Sequence, residues 1–203
     1  MNDTLQLPQP APLLVVLSGP SGVGKDVVLQ RLRQEEPSLT SIVTVTTRPQ
    51  RTGELDGVHY HFVDSAHFQE MLDKGELLEW AQVYGSWYGV PRSAVREALA
   101  QGRDVVLKTD VQGAATIRKA VLDAVLAFLA PPSMEELARR LRARNTENPQ
   151  QYQRRLETAR QEMACLPHFD YVVVNRKVGQ AVAQIRAILT AERCRVHPRR
   201  IQL

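Results

Sequence analysis

The chain has 203 residues, of which 43% are hydrophobic and 24% charged, and its formal net charge is +4 at pH 7. A chain of this length and composition can bury a full core without disulfide or metal staples, which excludes a disordered protein and a miniprotein scaffold. Its longest apolar stretches, residues 12–17 and 124–132, are shorter than the roughly 20 residues of a membrane span, and the N-terminus lacks a secretory pattern. We therefore expect a cytoplasmic protein with no membrane partner.

The positive net charge comes from residues 193–203. Residues 193–203 contain four arginines and no acidic residue, which leaves 22 basic and 22 acidic side chains in residues 1–192. Because the body is neutral, we expect no nucleic-acid partner. The role of this basic tail is left open by the sequence.

Short apolar runs alternate with helical periodicity along most of the chain. Residues 1–12 contain three prolines and no period, and we expect a flexible arm there. Strands are predicted at 13–18, 104–108, 124–129 and 171–174, and helices at 24–36, 112–120, 133–144, 149–166 and 178–193. This alternation predicts a three-layer α/β domain over residues 13–192, built on a parallel sheet. Residues 47–91, where Gly, Asp, Tyr and His interrupt short runs, predict a small, mostly β insertion.

A glycine-rich loop joins the first predicted strand to the first predicted helix. Its sequence, GPSGVGK, satisfies G-x-x-x-x-G-K, in which backbone N–H groups surround the phosphates of a nucleotide and the lysine reaches the outer ones. The alternative is a glycine turn with an incidental lysine, but the buried strand before the loop and the helix after it favour the phosphate loop. The predicted contacts are Gly19, Pro20, Ser21, Gly22, Val23, Gly24 and Lys25.

The residue after the loop departs from the motif. Asp26 stands where a Ser or Thr hydroxyl is expected to bind Mg²⁺. A carboxylate is a good ligand for a hard cation, so we predict that Asp26 holds Mg²⁺ directly.

Further segments follow in the order that is typical of guanylate kinases. They are TVTTRPQRTGE at 44–54, DGVHYHF at 56–62, LEWA at 78–81, YG at 88–89, DVQG at 110–113 and APPS at 130–133. Over roughly residues 13–190 the chain resembles this family of P-loop nucleoside monophosphate kinases, which transfer the γ-phosphoryl group of ATP to GMP. The resemblance implies a P-loop NTPase fold with a GMP-binding insertion at 47–91 and a helical lid at 135–160. It also implies that ATP, GMP and Mg²⁺ are the ligands.

A monophosphate acceptor requires a cationic clamp. Arg48 and Arg51 lie three positions apart beside a proline, and planar guanidinium groups bind phosphate oxygens bidentately. The resemblance adds Tyr60 and Tyr88 as hydroxyl donors to the same phosphate. The alternative is that the two arginines are solvated loop residues.

Guanine presents N1–H and an amino group as adjacent donors, and one carboxylate accepts from both. Glu79, inside the apolar run LLEWA, is predicted to be buried, which is costly unless a ligand or an ion pair satisfies it. The resemblance implies that Glu79 and Asp110 bind the base and that Thr44 contacts its O6. Val90 stands where the family has a second hydroxyl, which predicts weaker base discrimination.

Lys108 is a second departure, because the family usually has an acidic residue there that supports Mg²⁺. In this fold the end of its strand lies beside the start of the loop's helix, so we expect Lys108 and Asp26 to pair. One hypothesis is a compensated exchange, in which Asp26 coordinates the metal and Lys108 offsets its charge or contacts a phosphate. The other is a damaged metal site and a weak enzyme.

Seven arginines and four glutamates lie between residues 135 and 160. Arginines that close over a transferring phosphoryl group stabilise its charge and exclude water. The resemblance implies that Arg140, Arg144 and Arg155 make these contacts and that Asn175 lies on the adenine side of ATP. Solvated helix faces are the alternative for the arginines, and a turn or helix cap is the alternative for Asn175.

These features predict an ATP-dependent guanylate kinase that converts GMP to GDP, as a monomer or a homodimer. Two other functions stay open. One is a kinase for another phosphorylated nucleotide or sugar, and the other is a non-catalytic module that captures phosphorylated peptides with the arginine and tyrosine clamp.

Overall fold

The computed structural model describes residues 10–83, 85–143 and 149–203, so residues 1–9 of the predicted arm lie outside it. The strands are β1 (Leu14–Ser18), β2 (Thr40–Ser41), β3 (Thr44–Thr46), β4 (Tyr60–Phe62), β5 (Leu77–Val83), β6 (Ser86–Pro91), β7 (Val105–Lys108), β8 (Val125–Ala130) and β9 (Tyr171–Val174). The helices are α1 (Lys25–Glu35), α2 (Ser65–Asp73), α3 (Arg92–Ala100), α4 (Val111–Ala120), α5 (Met134–Ala143), α6 (Pro149–Ala164) and α7 (Val178–Arg193), with a 3₁₀ turn at Leu166–His168.

The main sheet has five strands in the spatial order β2-β7-β1-β8-β9, and each neighbouring pair is parallel. All residues of β1 and β8 are buried, because both faces of a parallel sheet are covered by its crossover helices. The predicted α/β class and parallel sheet are therefore confirmed.

Two apolar clusters cover the two faces of the main sheet. Along β1, Val15 and Leu17 join the cluster formed with α1, α5, α6 and α7, whereas Leu14 and Val16 join the cluster formed with α3 and α4. This alternation follows from the two-residue period of a strand. The result is three layers, with the sheet between two sets of helices. None of the described helices is both long and apolar enough to cross a membrane.

A second sheet, in the order β4-β3-β6-β5, forms the insertion. It is mostly β as predicted, but its first strand begins at Thr44, before the predicted boundary at residue 47, and it carries the unpredicted helix α2. The signals for α2 are present in the sequence. Asp64 caps the helix by accepting a hydrogen bond from the His67 backbone N–H at 2.7 Å, and Phe68 then packs into a small core with Val45. Helix α3 and the short β2 were also not predicted.

The basic tail folds back onto the domain. The Arg199 guanidinium lies 2.8 Å from the Glu192 carboxylate, whose side chain is 1% exposed, and the Tyr171 hydroxyl donates to the same carboxylate. Ile201 and Leu203 pack against the cluster on the α3 and α4 face. Part of the tail's charge is thus neutralised by the domain.

Candidate active site

A cleft of about 380 Å³ opens between the two sheets, at the carboxyl ends of β1 and β7. Open α/β sheets bind their ligands at this edge. The predicted site residues that line it are Pro20, Ser21, Gly22, Gly24, Lys25, Asp26, Thr44, Tyr60, Glu79, Tyr88 and Asp110. The fold therefore brings the phosphate loop and the proposed base-binding carboxylates into one cavity.

The loop between β1 and α1 is built around backbone that only glycine adopts readily. Gly19 has φ of 139°, and a Cβ on it would overlap the carbonyl oxygen of Leu129 on β8. The Val23 side chain is completely buried in the core. Gly19 and Val23 thus frame the loop, and the residues between them line the cleft.

Lys25 is folded over this loop. Its ammonium donates to the carbonyl oxygens of Gly19 at 2.5 Å and Pro20 at 3.3 Å. Burial lowers the pKa of Lys25, and the nearby Glu162 and Asp26 carboxylates offset only part of that effect. A buried ammonium at this point strongly favours an anionic ligand.

Arg140 and Asn175 support the loop from the side away from the cleft. The Asn175 amide donates to the Val23 carbonyl oxygen at 2.8 Å, and the Arg140 guanidinium donates to the Val23 and Asn175 carbonyl oxygens at 3.2 and 3.0 Å. Arg140 also pairs with Glu136 at 2.8 Å. Neither residue is among those that line the cleft. Both residues therefore support the loop through these bonds, and their predicted contacts with the γ-phosphoryl group and on the adenine side of ATP stay predictions.

The remaining lid arginines occupy different places. Arg144 lies outside the described residues. Arg155 is half-buried on α6, and Thr158 and Glu162, three and seven positions later, line the cleft. Residues at these spacings share a helix face, so Arg155 lies on the face of α6 that fronts the cleft.

Glu162 is a site residue that sequence reasoning missed. Its carboxylate accepts a hydrogen bond from the Ser21 backbone N–H at 3.1 Å, although the two residues are 141 positions apart. Burial raises the pKa of Glu162, against the opposing effects of the Ser21 amide and Lys25. The Glu162 carboxylate thus binds a backbone N–H that, in the loop motif, is available to a nucleotide phosphate.

The arginine clamp is organised by Glu54, which sequence reasoning also missed. The Arg48 guanidinium donates to both Glu54 carboxylate oxygens, at 2.7 and 2.9 Å, and lies 5.3 Å from the centre of the Tyr60 ring. The Arg51 backbone N–H donates to the same carboxylate at 2.9 Å. Burial would raise the pKa of Glu54, but its bonds to Arg48 outweigh burial and the pKa lies below its usual value. The Arg48 guanidinium is thus held beside Tyr60 and Tyr88, although neither Arg48 nor Arg51 is among the residues that line the cleft.

Glu79 is 4% exposed, and its Oε2 atom has no hydrogen-bond partner among the described residues. Burial, with a smaller effect from Asp110, raises the pKa of Glu79 to about 8. Asp110 caps α4, because its Oδ1 accepts from the Gly113 backbone N–H at 2.7 Å. A Cβ on Gly113 would overlap the Glu79 carboxylate, so glycine is required for α4 to approach this closely. The part of the chain that the structure describes holds no ion pair to Glu79.

Three smaller residues complete this half of the cleft. Thr44 lines it as predicted, and the Val90 side chain lies beside Thr44 in the lining with only 2% of its surface exposed. Thr109, which sequence analysis did not select, has a buried hydroxyl that lacks a partner among the described residues and lines the same cleft. Thr109 and Glu79 therefore both offer unsatisfied polar atoms to a ligand.

The expected pairing of Asp26 with Lys108 is present. The Lys108 ammonium lies 2.5 Å from Asp26 Oδ1 and 3.2 Å from the Tyr60 hydroxyl. The Lys108 ammonium, at the end of β7, thus contacts both the start of α1 and the insertion.

Known proteins are similar to this chain in sequence and in architecture. A guanylate kinase of Thermobifida fusca (strain YX) is 51% identical over 178 residues, which cover 88% of this chain and 91% of that protein. Guanylate kinase 2, chloroplastic/mitochondrial, of Oryza sativa subsp. japonica is 44% identical over 199 residues, which cover 97% of this chain and 70% of that protein. The crystal structure of guanylate kinase from Anaplasma phagocytophilum matches with a TM-score of 0.78 and 34% identity, over 92% of this chain and 89% of that one.

The sequence model of the guanylate kinase family matches residues 12–192. That range contains the phosphate loop, the insertion with its buried carboxyl, and the arginine-rich helices. The chain belongs to the guanylate kinase family.

Proposed function

We propose that this chain is a guanylate kinase that transfers the γ-phosphoryl group of ATP to GMP. The observation that carries the proposal is the single cleft in which a phosphate loop and a buried, unsatisfied carboxyl face the same space. A triphosphate fits the loop, and a base with two adjacent N–H donors fits Glu79. We also propose that the protein works in the cytosol, where both substrates are present.

The donor half binds ATP through the loop amides and the Lys25 ammonium. Asp26 would hold Mg²⁺, because its carboxylate lines the cleft beside the loop and is 71% exposed. The described residues form no group of three or more His, Cys, Asp or Glu side chains suited to a metal. A single carboxylate fits Mg²⁺, which takes most of its ligands from nucleotide phosphates and water, and the ion would there supply positive charge to the outer phosphates.

The acceptor half orients GMP for in-line attack. Arg48, Arg51, Tyr60 and Tyr88 bind its phosphate, while Glu79 and Asp110 bind the guanine and Thr44 contacts O6. The attacking group is a phosphate oxygen that is already anionic at neutral pH, so the reaction needs no general base. Arg155 closes over the transferring group, and Arg140 and Asn175 keep the loop in shape from the other side.

A coupled assay of the purified chain tests this function. With ATP and Mg²⁺ we expect rapid turnover of GMP, slower turnover of dGMP and negligible turnover of AMP. Faster turnover of UMP, CMP or a ribose phosphate would overturn the assignment of the acceptor. Isothermal titration with ATP separates an enzyme from a phosphopeptide-binding module, which is expected to give no heat with ATP.

Gly113→Ala tests the guanine pocket without replacing a residue that is proposed to bind GMP. The new methyl group displaces the Glu79 carboxylate, because it would overlap that group where α4 approaches β5. We expect KM for GMP to rise about tenfold or more while KM for ATP stays within twofold, as loss of aligned hydrogen bonds predicts. Steady-state kinetics with each substrate varied in turn measures both values.

Gly179→Ala is the matched control, because Gly179 is helical and a Cβ on it meets nothing within 4 Å. This variant is expected to keep both KM values. Equal KM values for GMP in the Gly113→Ala and Gly179→Ala variants would contradict the proposal that Glu79 binds guanine.

A further inference from the structure

Lys108 occupies a position that the guanylate kinase pattern does not explain. It ends β7, and its side chain is 23% exposed and lines the cleft. Its ammonium donates to Asp26 at the start of α1 and to the Tyr60 hydroxyl in the insertion. Lys108 is therefore in contact with an element of the donor half and an element of the acceptor half at once.

The hydrogen-bonding capacity of the ammonium leaves room for a ligand. A lysine ammonium has three N–H donors, and bonds to Asp26 and Tyr60 account for two among the described residues. The Tyr60 hydroxyl accepts from Lys108, so its own proton is left for another acceptor. Lys108 thus fixes the position of the Tyr60 hydroxyl, and Tyr60 lines the cleft.

Lys108 also lies next to the arginine clamp. The Lys108 ammonium is 5.2 Å and the Arg48 guanidinium 5.3 Å from the centre of the same Tyr60 ring. Arg48 is already engaged by both oxygens of Glu54. Glu54 therefore balances part of the positive charge of the clamp. A second cation beside Tyr60 adds attraction for a dianionic phosphate at this place.

Asp26 makes this cation tolerable in the free protein. Lys108 disfavours the charge of Lys25, and the Asp26 carboxylate, which lies 2.5 Å from the Lys108 ammonium, opposes that effect. The Asp26 carboxylate and the Tyr60 hydroxyl thus hold the ammonium in place at the end of β7.

We propose that Lys108 is a binding residue for the phosphate of the acceptor nucleotide, held in place by Asp26 and acting together with the Tyr60 hydroxyl. The exchange of Asp26 and Lys108 relative to the family pattern then does more than preserve charge balance at the metal site. It adds a cation to the acceptor clamp. This inference rests on the proposed function, since it takes GMP as the acceptor.

Lys108→Met tests the proposal by removing the charge and keeping most of the side-chain volume. We expect the affinity for GMP, measured by isothermal titration without ATP or Mg²⁺, to fall about 10- to 100-fold, as loss of a charge-assisted hydrogen bond predicts. Guanosine has the same base and sugar but no phosphate, and its affinity, measured by competition, is expected to stay within twofold. Lys108→Arg keeps the charge and should retain most of the affinity for GMP.

Lys119→Met is the matched control, because Lys119 is an exposed residue in the last turn of α4 and its loss changes the net charge equally. It should bind GMP like the parent. If Lys108→Met fails to fold because the ion pair between Lys108 and Asp26 is lost, the Asp26→Ser/Lys108→Met variant removes both charges and is expected to show the same selective loss.

Two results would overturn the inference. One is unchanged affinity for GMP in the variant that lacks the Lys108 charge, and the other is an equal loss of affinity for GMP and guanosine, which indicates a purely structural role. Both results differ from failure of the proposed function, in which the parent protein itself does not bind GMP.

Discussion

Replacing Lys25 by methionine is expected to lower kcat at least 10²- to 10³-fold, the usual effect of removing one group that stabilises charge in a transition state. The Lys25 ammonium is the loop's own cation and contacts the carbonyl oxygens of Gly19 and Pro20, and in the proposed function it binds the outer phosphates of ATP. The free energy of unfolding should change little, because an uncharged methionine does not incur the cost of burying a charge. That cost is what lowers the pKa of Lys25. A coupled assay gives kcat, and urea denaturation gives the stability.

Lys74→Met is the control for this variant. Lys74 is exposed and pairs only with Glu70 at 2.7 Å among the described residues, so its loss changes the net charge without reaching the cleft. We expect kcat to be unchanged. A Lys25→Met enzyme that kept kcat within tenfold of the parent would contradict the assignment of the loop to ATP.

The features that could be predicted from sequence are those encoded by neighbouring residues. The loop from Gly19 to Lys25 is contiguous, and its glycines and lysine specify the same geometry wherever a buried strand precedes and a helix follows. The burial of Glu79 also follows from its apolar neighbours in β5. Helix α2 is not among the predicted elements, although the signal of its cap at Asp64 is local.

Contacts between distant segments were predictable only where the sheet topology dictates them. Asp26 and Lys108 are 82 positions apart, but adjacent parallel strands bring their ends together, so their pairing could be predicted. The bond between Glu162 and Ser21 depends on how α6 packs over the loop, which no local pattern specifies. The bonds of Arg140 and Asn175 to the Val23 carbonyl oxygen could not be predicted for the same reason, since a motif identifies a residue but not the direction of its side chain.

Glu79→Gln is expected to lower kcat/KM for GMP by a factor of about 10³ to 10⁴, since a site built to pair with donors is left with a mismatched amide. The same change should stabilise the free protein above about pH 5. The pKa of Glu79 is about 8 in the folded chain against an ordinary value of 4.5, so the parent loses stability as the pH rises through that range, and glutamine does not. The gain from glutamine is up to a few kcal/mol and grows from pH 5 to pH 9. Urea denaturation across this range measures it.

The raised pKa also gives the affinity for GMP a predictable dependence on pH. Below about pH 8 the Glu79 carboxyl of the free protein is protonated, and it must lose its proton before it can accept from both guanine donors. Affinity should therefore rise between pH 6.5 and pH 8, by at most tenfold per pH unit, because binding releases one proton. Isothermal titration in buffers of different ionisation enthalpy counts that proton directly.

The Glu79→Gln variant isolates this titration from those of GMP itself. It lacks the Glu79 proton but binds the same nucleotide, so ionisation of GMP affects both proteins equally. We expect the parent and the variant to differ by one released proton near pH 7 and to converge above pH 9. If both released the same number of protons, Glu79 would be ionised before GMP arrives, and its burial would have to be compensated by a partner other than the guanine.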